Sequence, residues 1–198
     1  MNTKIYFHTP LDLTQGNGYV FISNHQSLFD LPLIFSSLNG TLRVLAKKEL
    51  FKIPLFGSAL KKAECISIDR GNTNAIKNSL ISFKEKLKSG ISFLIFAEGT
   101  RSHTGELLPL KPGAFRLAIE SDARIVPVAI VGTKEILPAK TSNLTKNCTA
   151  FIHFGNPIDT TCYRSFDAIK ILMTEVEHAI KAMMQETKKR AYDDTSSL

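Results

Sequence analysis

The sequence predicts a single α/β domain, a mixed and largely parallel sheet flanked by helices, and two observations carry that prediction. Short β-rich runs recur along the chain at 19–22, 43–46, 65–68, 92–96, 124–130 and 150–154. Between them lie segments with helical periodicity, and strands alternating with helices build a sheet covered on both faces. A length of 198 residues suits one domain with a C-terminal extension better than two domains.

The elements follow in order. After the first run, Tyr19-Val20-Phe21-Ile22, a short helix is expected over 28–38, with Pro32 tolerated in its first turn. A longer helix over 72–88 places Ile76, Leu80, Phe83 and Leu87 on one face, with Asn72 or Thr73 as cap and Gly90 beyond its end. A second short helix is expected over 113–120. From 165 to 190, Phe166, Ile169, Leu172, Val176, Ile180 and Met183 form one stripe, and Lys188, Lys189 and Arg190 complement the helix dipole in the last turn. A terminal helix packed on the domain is preferred over one lying on a membrane. The chain therefore divides into a main domain over 1–162, a C-terminal helix over 163–192 and a frayed tail over 193–198.

The composition, 43% hydrophobic and 22% charged, excludes collagen-like, low-complexity and wholly disordered classes. No apolar run approaches the ~18–20 residues that span a bilayer, and the first residues lack the apolar core of a secretory signal. A cytoplasmic location is the expectation. Cys65, Cys148 and Cys162 have no CxxC spacing, so neither a disulfide framework nor a zinc site is indicated. No Walker loop or dinucleotide fingerprint occurs, and no cofactor is expected. The net charge of +7 is concentrated at Arg43, Lys47, Lys48, Lys52, Lys61 and Lys62, opposed in that window only by Glu49. Such a patch attracts anionic membranes, nucleic acid, acidic proteins or phosphorylated small molecules alike.

Chemistry concentrates where runs end. After the first comes Asn24-His25-Gln26-Ser27-Leu28-Phe29-Asp30. Five residues along a continuous helix would leave His25 and Asp30 roughly 140° apart, so the two can meet only across a bend. With His25 in a turn and Asp30 opening a helix, the carboxylate reaches one imidazole nitrogen and leaves the other to take a proton from a hydroxyl. Thr100, Ser102 and Ser67 lack a G-x-S-x-G elbow, which argues against a serine hydrolase.

Further blocks stand in order downstream: Ile66-Ser67-Ile68-Asp69-Arg70, Phe96-Ala97-Glu98-Gly99-Thr100-Arg101-Ser102, and Val126-Pro127-Val128, which taken singly would read as an edge strand tolerant of proline. With the NHxxxxD block these make the sequence resemble the glycerolipid acyltransferases, over about 18–132. The resemblance implies that His25 is a general base with Asp30 as its orienter, the acceptor hydroxyl attacking an acyl thioester directly. It implies that Arg70 and Arg101 bind acceptor phosphate, two guanidinium forks suiting a phosphate monoester. It places Glu98 against an acceptor hydroxyl or a basic neighbour, Gly99 and Thr100 at the substrate, and Lys111 in a basic-plus-glycine element with Gly113.

The implied donor is acyl-CoA or acyl carrier protein and the implied acceptor a lysophospholipid, lysophosphatidate foremost, with glycerol phosphate or another lysolipid as alternatives. A non-catalytic basic module binding anionic lipid or nucleic acid is the rival from another class. The absence of tryptophan and of aromatics interleaved with the basic run speaks against nucleic acid. Two departures from the family pattern stand out. Only 23 residues precede Asn24, without an apolar helix, and Ser67 replaces a bulky apolar residue. Membrane contact is therefore expected to be peripheral, on the inner face, through the lysines and Phe51, Ile53, Leu55 and Phe56.

Overall fold

A computed structural model describes residues 2–7, 16–38, 42–68, 73–138, 141, 143–146 and 148–196. Among these residues seven strands form one sheet: β1 (Asn2–Phe7), β2 (Val20–Ser23), β3 (Leu42–Lys47), β4 (Ile66–Ile68), β5 (Ser92–Phe96), β6 (Ile125–Val131) and β7 (Thr149–Phe154), in spatial order β1-β7-β6-β2-β5-β3-β4. The block from β6 to β4 is parallel throughout, β7 runs antiparallel to β6, and β1 runs parallel to β7. The six strands read from sequence are all present within a residue or two. β1 has no counterpart in that reading, which starts at Tyr19.

Among the described residues six α-helices accompany the sheet: α1 (Asp30–Ser37), α2 (Phe56–Lys62), α3 (Thr73–Lys88), α4 (Pro112–Glu120), α5 (Thr133–Ile136) and α6 (Phe166–Ser196). Alternation along the strands sorts the core into two layers. Val20, Ile22, Phe93 and Ile95 face Phe83 of α3, Phe115 of α4 and Val176 of α6. Phe21, Leu94 and Val128 face Leu33 and Ile34 of α1. The α6 stripe, Leu172, Val176, Ile180 and Met183, lies wholly in the first layer. That covers the face a membrane-lying helix would need. The helix continues to Ser196, past the limit of 192 read from composition, because 191–196 contain neither glycine nor proline to stop it.

Pro127 sits on an interior strand, not an edge. Successive residues of β6 turn their N–H groups to opposite sides, and the side without a donor meets 155, just past the end of β7. There the Gly155 N–H donates to the Pro127 carbonyl at 2.9 Å, and only the reciprocal bond, which an N–H at 127 would have given, is missing, at the end of the ladder.

The chain leaves β2 through α1 toward β3 on one face, and leaves β5 through α4 toward β6 on the other. Neighbouring strands whose connections depart in opposite directions open a crevice beyond their carboxyl ends, the usual ligand position in open α/β sheets. The NHxxxxD and EGTR blocks follow these two strands.

Between β3 and β4 the chain makes a 3-10 turn at Lys48–Lys52 and then α2. Leu55 joins them with φ +63° and ψ −55°, a conformation costing a non-glycine residue about 1–3 kcal/mol. The closure around it is tight. The Gly57 N–H donates to the Ile53 carbonyl at 2.8 Å, and a Cβ on Gly57 would lie 2.2 Å from the Phe51 carbonyl oxygen, which only glycine avoids.

Candidate functional site

The site is built from the end of β2 outward. Beyond Ser23, the Asn24 side chain continues the sheet ladder: its Oδ1 accepts the Ile130 N–H at 2.7 Å and its Nδ2 donates to the Ile130 carbonyl at 2.8 Å. The backbone is thereby released to turn. Gln26 holds the turn from the other side, Nε2 donating to the carbonyls of Gly105 at 3.0 Å and Ile130 at 3.1 Å. Neither amide was singled out in the sequence. The signal available was two polar residues flanking His25 at the end of an apolar strand, where buried amides must find partners.

Within this turn His25 Nδ1 lies 2.7 Å from Asp30 Oδ2. The same oxygen accepts the N–H groups of Gln26 at 2.7 Å and Ser27 at 3.0 Å. Asp30 is fully buried, and its other oxygen has no hydrogen-bond partner among the described residues. An oxygen that only accepts fixes the proton on Nδ1 and leaves the lone pair on Nε2. The ring lies flat on Phe96, centroids 3.8 Å apart and planes 14° from parallel. The bend inferred from the spacing is this turn.

Glu98, just beyond β5, is buried, and both its oxygens go to backbone: Oε1 accepts the His25 N–H at 2.6 Å and Oε2 the Leu108 N–H at 2.9 Å. The Ser102 N–H returns a bond to the His25 carbonyl at 2.7 Å. Glu98 thus pins the histidine turn to the 98–108 loop through two backbone amides. The reason is burial: a carboxyl group 2% exposed meets backbone before it meets solvent.

Desolvation raises the Glu98 pKa from 4.5 to about 7, against the two amide bonds that pull it down. The folded protein holds a proton there at pH values where the unfolded chain has lost it. The contribution of Glu98 to stability is therefore full below about 4.5 and is lost as pH rises through about 7, by roughly 1–3 kcal/mol. Urea unfolding across that range should show the decline in the wild type, and Glu98→Gln should abolish this slope.

Gly99 adopts φ +74°, and a Cβ there would lie 2.8 Å from Lys111 Nζ, so the Lys111 ammonium covers the glycine. The Lys111 N–H donates to the Ala97 carbonyl at 2.9 Å, which ties that loop to the end of β5. Thr100 is exposed and Arg101 half-buried, next in sequence to the Ser102 that binds His25. His25, Asp30 and Glu98 are thus joined directly, and Gly99, Arg101 and Lys111 sit on the adjoining loop. Arg70 lies outside the described residues. Of the other histidines, His153 is buried beside Thr187, while His103 and His178 are exposed. Burial pushes the Cys65 thiol up, away from thiolate character. No cluster of His, Cys, Asp and Glu among the described residues is arranged to hold a metal ion.

A largely parallel α/β sheet carries a carboxylate-imidazole pair at its carboxyl edge, an arrangement suited to general-base chemistry, and the acyltransferase family model matches residues 4–131. The chain belongs to that family. Over 169 residues it is 30% identical to 1-acyl-sn-glycerol-3-phosphate acyltransferase alpha of Mus musculus, covering 85% of this chain and 59% of the mouse protein. The corresponding Homo sapiens protein is 31% identical over the same length, with 85% and 59% covered. The chain thus spans about three fifths of the length of these relatives. The crystal structure of the 1-acyl-sn-glycerophosphate acyltransferase PlsC from Thermotoga maritima superposes with a TM-score of 0.75 at 28% identity, covering 94% of this chain and 73% of that one.

Proposed function

We propose that this protein transfers a fatty acyl group from an acyl thioester, of coenzyme A or acyl carrier protein, to the free hydroxyl of lysophosphatidate, giving phosphatidate for phospholipid biosynthesis. The observation that carries the reading is the 2.7 Å contact between His25 Nδ1 and Asp30 Oδ2, which directs the lone pair of Nε2 outward. Nε2 takes the proton of the acceptor hydroxyl as that oxygen attacks the thioester carbonyl. The C–S bond then breaks, and the imidazolium returns its proton to the departing thiolate. Asp30 stabilises the imidazolium between these steps, and no acyl-enzyme forms. The names of the relatives support the acceptor.

Arg101, with Arg70, binds the acceptor phosphate, and Lys111 adds a second cation on the 98–111 loop. Purified protein given an acyl thioester and a panel of lysophosphatidate, glycerol phosphate and uncharged lysolipids should release free thiol fastest with lysophosphatidate. Absence of thiol release with every acceptor would refute catalysis. In the same assay Arg101→Ala should raise the acceptor KM about tenfold or more while leaving the donor KM nearly unchanged, because the lost contact is to a nonreacting part of one substrate. Arg101→Lys should recover only part of this, lacking the planar fork. Equal losses toward both substrates would reject the phosphate role.

A further inference from the structure

The segment from the end of β3 to the end of α2 shows an apolar tip ringed by cations. Leu55 is 88% exposed, held outward by the tight closure at Gly57. Leu50 and Ile53 beside it are 36% and 46% exposed. The side chain of Phe56 lies outside the described residues. Lys47, Lys52, Lys61 and Lys62 are all exposed and none forms an ion pair among the described residues. Arg43, by contrast, is spent: with Lys86 it pairs to Glu64.

The placement matters as much as the composition. β2 and β3 are parallel and both flank β5, so their carboxyl ends lie on one edge of the sheet, about 10 Å apart. The 47–62 segment therefore begins at the same edge that carries His25, and Leu28, 48% exposed, lies between His25 and Asp30 on that edge. No helix of the described residues is long and apolar enough to cross a membrane. The α6 stripe is buried, and its terminal cations Lys188 and Arg190 pair with Glu106 and Glu186.

We infer that the 47–62 segment is the surface by which this protein docks on an anionic bilayer, Leu55 entering the interface as a fixed apolar peg while the four lysines meet lipid phosphates. Charge complementarity selects the occupant. A protruding leucine gains nothing against a nucleic-acid backbone, whereas lysines around an apolar tip match headgroups above acyl chains. The inference deepens the proposed function, since the acceptor is itself a lipid and the peg sets the edge bearing His25 against the membrane. Binding then has two separable parts: a salt-sensitive one from the lysines and a salt-resistant one from Leu55.

The test is co-sedimentation with vesicles of phosphatidylcholine, with and without an equal part of phosphatidylglycerol, at low and high salt. Leu55→Gly should lower partitioning about tenfold at either salt, and its thermal midpoint should be unchanged or raised, because glycine accepts φ +63° without strain. Changing Lys47, Lys52, Lys61 and Lys62 together to Gln should lower partitioning to anionic vesicles about 100-fold or more at low salt, leaving neutral vesicles unaffected. Turnover of a water-soluble short-chain lysophosphatidate should be the same in Leu55→Gly and wild type, while turnover of a vesicle-borne acceptor falls. If the wild type turns over no acceptor, the catalytic reading fails and the sedimentation arms still judge the surface. Wild-type binding by Leu55→Gly, or binding of an oligonucleotide instead of vesicles, would overturn the inference.

Discussion

A His25→Ala protein is expected to fold and to release thiol about 10²–10⁴-fold more slowly than the wild type at saturating substrate, the loss typical of a positioned general base. The structure separates the two consequences of the change. Chemically, Nε2 is the group placed to take the hydroxyl proton, and alanine provides nothing in its place. Structurally, the imidazole stacks on Phe96 and its side chain is 16% exposed, so truncation loses that contact and costs about 1–2 kcal/mol. The backbone of residue 25 keeps its bonds to Glu98 and Ser102, and Asp30 keeps two amide donors. Thiol release and urea midpoints, measured on one preparation, check both parts. Full activity in a folded His25→Ala protein would remove the base mechanism.

What could be read from residue order was whatever depends on local pattern. Each of β2 to β7 is an apolar run whose length and β-branched content mark it, and α3 and α6 show their buried faces as a helical stripe. β1 escaped because its first half, Asn2-Thr3-Lys4, is polar and only Ile5-Tyr6-Phe7 is apolar, too little for a recognisable run; it becomes a strand by pairing with β7, more than 140 residues away. At the site, the His25–Asp30 pair was legible because both partners lie in one turn. The partners of Glu98 were not, since the backbone N–H of His25 is 73 residues distant and carries no sequence mark. The basic window illustrates the same limit. Its six cations look equivalent in the sequence, but Arg43 is turned to Glu64 while Lys47, Lys52, Lys61 and Lys62 face solvent. The exposure of Leu55 follows from the closure at Gly57, which only the folded backbone displays.

Asp30→Asn should lower turnover about 10–100-fold, less than loss of the base, with the acceptor KM little changed. The argument rests on how crowded Oδ2 is. It accepts three donors, two of them backbone N–H groups, so the asparagine carbonyl must take that position and turn its amide toward the buried side where Oδ1 has no partner. The Nδ1 proton then still finds an acceptor, the tautomer is retained, and Nε2 keeps its lone pair. What disappears is the negative charge that stabilises the imidazolium formed as the hydroxyl oxygen attacks, a loss felt in kcat and not in binding. The buried, unpaired amide should cost about 1–3 kcal/mol of stability. Asp30→Ala goes further, stripping the acceptor from three donors at once, and should cost about 3–5 kcal/mol while bringing turnover down to the level of His25→Ala. Steady-state kinetics with urea unfolding on the two variants checks the order. Wild-type turnover in Asp30→Asn would exclude the carboxylate from the chemistry and leave it the architectural task of holding the turn.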